Sequence, residues 1–398
     1  MPDRLDRLET IPTATEFYGT YWNKRPFVVR GAIPPDVMAG LIEADELAGL
    51  SMEDGPQSRL VKTAGDYKTW TCQFGPFSDP DFSAAGRKNW SLLVQNVEQF
   101  HPQTAALLPF FNFAPRWMMD DVMVSFSAPG GSVGPHLDSY HVFLIQGQGT
   151  RRWKISREII SNEAYVDNPD LKILATEFEG DEIEVSCGDA LYVPPNFGHE
   201  GTTIEAALTF SVGFLGPKTS ELFSSYGQYL SEREDLDQRY VGKGLEADSA
   251  GFLIADAGVG VLRYQLRHHL ETTDFVRWLV EFFSETTHES DGDDDHQDAL
   301  LSITDFKTSL QDGAGLFKPE SIKFAVTTAL SGASFLGFDG QSLPLEQAFF
   351  PVLQEILNGR QVFLKKHPAL LENRAFLDVL HQLYTLQALE ISAPTEIP

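Results

Sequence analysis

"GPHLDSYHVFLIQGQGTRRWKI", Gly134 to Ile155, is the stretch whose reading decides the fold. It reads as a strand, a tight turn at "GQGT" and a second strand, a β-hairpin. Its apolar alternation is broken by His136, Asp138 and Arg151, where core-facing residues should stand. Residues i and i+2 of a strand share a face, so His136, Asp138 and Tyr140 project together. Beyond the turn, Arg151 shares its face with Trp153 and Ile155, and these two draw it inward. An unpaired buried guanidinium is costly. No carboxylate stands nearby in sequence, so the carboxylate of a bound ligand is the expected partner.

Working outward, "PGGSVG" (Pro129–Gly134), "CGDA" (Cys187–Ala190) and "PPNFG" (Pro194–Gly198) punctuate short apolar runs from about residue 60 to 215. That spacing belongs to a sandwich or barrel. "GDALYVPPNFGHEG" carries a turn, a short strand, a double-proline corner and then His199. Two imidazoles and one carboxylate on one face of an octahedron are the facial triad of non-haem Fe(II), with the opposite face left for a bidentate co-substrate and O2. A His-x-Asp pair alone is usually structural. The later histidine and the inward arginine make the conjunction hard to reach by accident, and the reading favours iron.

Composition bounds the rest. At 398 residues the chain has room for two or three domains, and with 42% hydrophobic residues and 29 phenylalanines it can fill large cores. A net charge of −27 repels nucleic-acid phosphates and anionic lipid, and favours encounter with basic proteins. Cys72 and Cys187 stand far apart, which excludes a disulfide framework and a thiolate zinc site and fits a reducing cytoplasm. The charged start "MPDRLDRLET" lacks the apolar core of a signal peptide, and no apolar run is long enough to cross a bilayer.

The first 50 residues read as helical up to a break at Pro26, then as a short strand in "RPFVVRG". After Pro217 apolar residues recur three and four apart, so helices are expected. One long stripe runs through Leu262, Leu266, Leu270, Phe275, Trp278, Leu279, Phe282 and Phe283. "DGDDDHQD" (Asp291–Asp298) reads as a solvated linker, and residues 299–398 as a further small unit.

"SFSAPGGSVGPHLDSYHVFLIQGQGTRRWKI" and "GDALYVPPNFGHEGTTIEAALTFSVGF", with "NWSLLVQNVEQFHPQTAALL" and "YWNKRPFVVRG" upstream, resemble the bacterial ribosomal oxygenases of the JmjC group, the YcfD-type arginine hydroxylases. The resemblance is close over roughly residues 15–230. It implies an α+β chain: a double-stranded β-helix (jelly-roll, JmjC/cupin) catalytic domain at 1–217, a helical dimerisation region at 218–298 and a winged-helix-like domain at 299–398. It also implies that His136, Asp138 and His199 bind Fe(II). Arg151, with help from Ser125, would hold the distal carboxylate of the co-substrate 2-oxoglutarate, with O2 as oxidant. Asp121, Met123, Tyr140 and Ser211 would shape the substrate pocket. The substrate it implies is an arginine of a large-subunit (50S) ribosomal protein, the sixteenth of the series, modified in the cytoplasm by a homodimer. The acidic insert matches nothing in the family pattern.

Competing readings remain. The same chemistry could act on a histidine or on another protein's arginine, though an acid such as Asp121 favours a guanidinium. A cupin that binds metal without turnover would need no Arg151. A transcription regulator, suggested by the C-terminal unit, is opposed by the acidic charge, so no direct nucleic-acid or membrane contact is expected. His141, an odd-numbered neighbour of His136, reads as structural. His268 and His269 read as packing or surface residues, and His288 and His296 as parts of the linker.

Overall fold

The computed structural model describes residues 5–63, 69–161, 163–168, 170–243, 245, 251–285, 300–319, 322–329, 332–358 and 361–392. The chain divides into two compact units, Met1–Gly216 and Pro217–Pro398. The acidic run Asp291–Asp298, with His288 and His296, lies outside the described residues.

The first unit is built on β1 (Asp6–Leu8), β2 (Phe27–Val29), β3 (Ser58–Thr63), β4 (Trp70–Phe74), β5 (Trp90–Val94) and β6 (Met119–Ser127). It continues with β7 (His141–Gln148), β8 (Arg151–Ile159), β9 (Gly180–Val185), β10 (Ala190–Val193), β11 (Phe197–Thr203) and β12 (Ala207–Phe214). Nine of these form one sheet in the order β1-β2-β10-β7-β12-β6-β5-β3-β4, and three form a second, β11-β8-β9. This is the two-sheet jelly-roll of a JmjC/cupin domain.

Strand alternation explains how the large sheet is covered on both faces. Phe143 and Ile145 of β7, Ala190 and Tyr192 of β10, and Phe210 and Val212 of β12 enter one core, shared with Phe17, Leu107, Leu108 and Phe111 from the segments that overlie that face. Val142 and Leu144 of β7 and Leu191 and Val193 of β10 enter the other core, against Trp153, Ile155, Ile183 and Val185 of the small sheet. The polar side chains of this second face, on β6 and β12, leave a cavity between the sheets rather than a filled core.

Three local expectations are corrected. β7 and β8 do not form a hairpin: β7 pairs with β10 and β12, and β8 with β9 and β11. The chain turns a corner between sheets at Gly149, whose φ is +67°, where a Cβ would stand 2.1 Å from the Ala206 carbonyl oxygen. That close approach, fixed by hydrogen bonds from the Ile204 and Glu205 N–H groups to the Thr150 carbonyl, keeps the turn against the β11–β12 connection instead of closing a β7–β8 ladder. His136, Asp138 and Tyr140 also precede the strand, with only an isolated bridge at His136. Near the N-terminus, helical turns occupy only part of the expected span, and β1 runs parallel to β2.

The second unit opens with α1 (Thr219–Ser231), α2 (Asp256–Leu270) and α3 (Thr273–Ser284). The single stripe read from sequence is thus two helices, because the Thr272 side chain accepts the Phe275 N–H and starts α3 afresh. Tyr226 and Tyr229 of α1 pack on Trp278 of α3. β13 (Leu316–Phe317) pairs with a C-terminal strand at Glu390–Ile391, and β14 (Phe324–Thr328), β15 (Ser334–Phe338) and β16 (Gln341–Leu345) form an antiparallel sheet. Val280 of α3 shares a core with Ala325 and Phe335 of that sheet. No helix among the described residues is long and apolar enough to cross a membrane.

Candidate metal and co-substrate site

His136 and His199 meet because their backbones exchange two hydrogen bonds, His136 N–H to His199 O at 3.0 Å and His199 N–H to His136 O at 3.1 Å. The rings lie 4.1 Å apart between centroids. Asp138 is pinned by a third bond, from the Asn196 N–H to the Asp138 carbonyl at 2.8 Å, with Asn196 in the left-handed region at φ 64°. The double-proline corner therefore sets both the aspartate and the second histidine.

One ligand atom from each of His136, Asp138 and His199 lies within 4.8 Å of the others. Each imidazole turns its Nδ1 to a backbone carbonyl, His136 to Gly134 at 2.9 Å and His199 to Phe197 at 3.1 Å. Nδ1 is then the donor on each ring, which leaves each Nε2 free to face the cluster as a ligand atom. His199 Nε2 stands 3.3 Å from Asp138 Oδ2. An imidazole nitrogen and a carboxylate oxygen this close, with His136 beside them, form a donor set that suits a divalent transition metal.

The electrostatics keep the group ready for one. Burial, and then the neighbouring His199, push His136 down to about 4, so it is neutral at pH 7. Burial alone would raise the Asp138 carboxyl, but its contact with His199 and a hydrogen bond from Tyr140 outweigh that and help bring it to about 2, so it is a carboxylate at pH 7.

These three residues line a cavity of about 350 Å³ between the two sheets. At its inner end Arg151 is 3% exposed. Its Nη1 donates to Thr209 Oγ1 and its Nη2 to the Gly201 carbonyl, both at 3.3 Å, while Nε has no hydrogen-bond partner among the described residues. Burial lowers it only to about 10, so it stays cationic. No ion pair to Arg151 is formed among the described residues. Gly201 makes room for it, since a Cβ there would stand 2.5 Å from Arg151 Nε.

Ser125 and Met123 share a face of β6, opposite Thr209 and Ser211 of β12 in register, and all four line the cavity with Tyr140. Asp121 continues the same β6 face but does not line the cavity. Its carboxylate accepts the Asn96 N–H at 3.3 Å and lies 3.6 Å from where a Cβ on Gly213 would be. Tyr140 is pushed well above the ordinary tyrosine range by burial, then by Asp138 and Asp121, and so remains a hydrogen-bond donor. His141 turns away: its Nδ1 meets the Tyr192 hydroxyl at 2.7 Å and its ring stacks on Trp22.

Sequence reasoning missed Arg59 of β3 and the segment Asp170–Ile173, which also line the cavity. The second reaches the site because Leu174 N–H bonds to the Pro135 carbonyl, next to His136, and Asn168 Nδ2 bonds to the Trp70 carbonyl. Neither carries a motif, and both arrive through long-range pairings.

The JmjC domain family model matches residues 106–222. The "Ribosomal protein uL16 3-hydroxylase" of Escherichia coli (strain K12) is 40% identical over 279 residues, which covers 69% of this chain and 72% of that protein. A "Probable ribosomal oxygenase" of Haemophilus influenzae is 39% identical over 224 residues, 56% of this chain and 54% of that one. The crystal structure of E. coli YcfD superposes with a TM-score of 0.79 at 32% identity, covering 95% of this chain and 97% of that one. YcfD in complex with cobalt and 2-oxoglutarate gives 0.76 at 31% identity, covering 95% and 98%. With the triad, the buried arginine and a shared fold all in place, the chain belongs to the JmjC-domain ribosomal oxygenases of the YcfD type.

Proposed function

We propose that this protein hydroxylates an arginine of ribosomal protein uL16. The observation that carries the reading is a three-ligand cluster in one cavity with a buried guanidinium whose Nε is unpartnered. The chain is a 2-oxoglutarate-dependent dioxygenase of the Fe(II) class. Bound Fe(II) supplies the redox chemistry, by which 2-oxoglutarate, O2 and a C–H bond yield succinate, CO2 and a C–OH group.

In this reading His136, Asp138 and His199 hold the metal. Their Nδ1-to-carbonyl bonds fix the rings, and Tyr140 steadies the carboxylate. Arg151 forks onto the distal carboxylate of 2-oxoglutarate, and Ser125, hydrogen-bonded at 3.5 Å to the Thr209 carbonyl, adds its hydroxyl. Leu144 and Trp153 line the cavity and keep water from that ion pair. No side chain needs to act as acid or base.

The substrate arginine enters past Asp121, which stands outside the cavity, to the end lined by Met123, Tyr140 and Ser211. Asp121 can accept a guanidinium fork and the Tyr140 ring can pack on its plane. This favours arginine over histidine. The charge of −27 favours capture of a basic ribosomal protein in the cytoplasm and disfavours direct contact with RNA or DNA. In the second unit, Leu262, Tyr264 and Leu266 of α2 are exposed, which supports a second copy of the chain as their cover in a homodimer. The helices and small sheets after residue 300 suit a winged-helix-like unit that serves protein contacts.

The test is incubation of purified uL16 with the enzyme, Fe(II), 2-oxoglutarate and O2, followed by tandem mass spectrometry. One added oxygen on an arginine-containing peptide is expected. Addition to a histidine would move the substrate, and no addition would refute the proposal.

A further inference from the structure

We infer that Ser156 is a positioning residue for His199, acting through a bulge in β8; the inference rests on the oxygenase reading of the triad. β8 and β11 pair regularly from Arg151↔Thr203 to Ile155↔His199. The next pair is Ile159↔Phe197. Ser156, Arg157 and Glu158 of β8 therefore face Gly198 alone, immediately beside His199.

A bulge leaves ladder groups without partners, and here one hydroxyl restores them. Ser156 Oγ accepts the Gly198 N–H at 2.8 Å and donates to the Glu158 carbonyl at 2.8 Å. Ser156 is 4% exposed, so water does not compete for these groups. The hydroxyl thus closes the bulge on itself and ties it to the residue preceding the histidine.

The peptide it holds also controls the ring. Phe197 supplies the carbonyl that accepts the hydrogen bond from His199 Nδ1, and Gly198 lies between them. Gly198 is glycine where the chain packs closely, since a Cβ there would stand 2.6 Å from Ile160 Cδ1, and glycine adds no side chain of its own to hold the peptide. Freed from Ser156, the Phe197–Gly198 peptide can rotate, and both the tautomer and the aim of His199 Nε2 go with it. Nothing in the "SRE" run of β8 announces this: it reads as a solvent-facing end of a strand.

The test is equilibrium titration of the metal-free full chain with Co(II), read by visible absorption, with melting temperature measured alongside. Ser156→Ala should weaken Co(II) binding at least about 3-fold and by up to the roughly 10- to 100-fold lost when a direct partner of a ligating imidazole is removed. Ser156→Thr, which keeps the hydroxyl, should restore most of it. Ser91→Ala serves as control: it breaks another buried hydroxyl pair, Ser91 with Ser127 at 2.7 Å, and should lower the melting temperature while keeping wild-type affinity. Should Ser156→Ala fail to fold, Ser156→Cys replaces it, and weaker binding than in Ser156→Thr is expected. Wild-type affinity in the variants lacking the hydroxyl would overturn the role of Ser156 and leave the triad intact. No Co(II) binding by the wild-type chain would sink the triad reading and this inference together.

Discussion

Replacing Arg151 with methionine should have opposite effects on the empty protein and on the bound one. The guanidinium is 3% exposed and uses two weak 3.3 Å hydrogen bonds of the roughly five donors it carries. In the empty protein it is a buried charge with no counter-ion among the described residues, and an apolar side chain of similar length removes that uncompensated charge, so it should be neutral or stabilising. With a dicarboxylate bound, removing one partner of a desolvated pair costs about 3–5 kcal/mol. At about 1.4 kcal/mol per tenfold, this is a rise of between about a hundredfold and a few thousandfold in the 2-oxoglutarate requirement. The assay is succinate formation against 2-oxoglutarate concentration, with thermal melts of the metal-loaded protein with and without the co-substrate. Arg151→Met should melt no lower than wild type when empty and should lose the stabilisation by 2-oxoglutarate. An unchanged KM for 2-oxoglutarate would refute the anchor role.

Three further changes probe the supporting structure. Gly201→Ala pushes a methyl toward Arg151 Nε and the Trp153 ring, so KM for 2-oxoglutarate should rise at least about tenfold, as expected of a displaced buried contact; kinetics identical to wild type would mean that the arginine has slack. Gly149→Ala meets both a φ of +67° and the Ala206 carbonyl, and should cost about 1–3 kcal/mol or more, measured by urea unfolding. His141 is held down to about 4 by burial. Its unfolded value is about 6.5, so the folded form binds fewer protons between these values and stability falls as pH drops from about 6.5 to 4, by about 3 kcal/mol for this group. His141→Gln keeps a polar partner for Tyr192 without titrating, and its pH–stability curve should be flatter; a curve as steep as wild type would place the dependence elsewhere.

The candidate cluster was legible because chemistry constrains residue type. His136, Asp138, His199 and Arg151 interrupt apolar patterns where water-free packing would forbid them, and each interruption demands a partner. Strand pairing was not legible to the same degree. A turn such as "GQGT" serves equally for a hairpin or for a corner between sheets, and only the approach of Ala206 to Gly149 decides. Arg59 and Asp170–Ile173 were missed because they enter the cavity through contacts that carry no local periodicity. The β8 bulge was hidden for a related reason: Ser156, Arg157 and Glu158 look like any polar strand end, although the first is buried and the second pairs with Asp181 at 2.8 Å. In the second unit the apolar stripe was visible, but the break at Thr272 was concealed within continuous helical periodicity.

The most direct measurement is anaerobic titration of the metal-free chain with Fe(II) in the presence of 2-oxoglutarate, followed by the visible charge-transfer absorption of the chelate. Wild type should bind one Fe(II) per chain and develop the band, whereas His136→Ala, Asp138→Ala and His199→Ala should each fail to do so at the same concentrations. A full band with unchanged stoichiometry in any two of these variants would contradict a shared site for the three side chains.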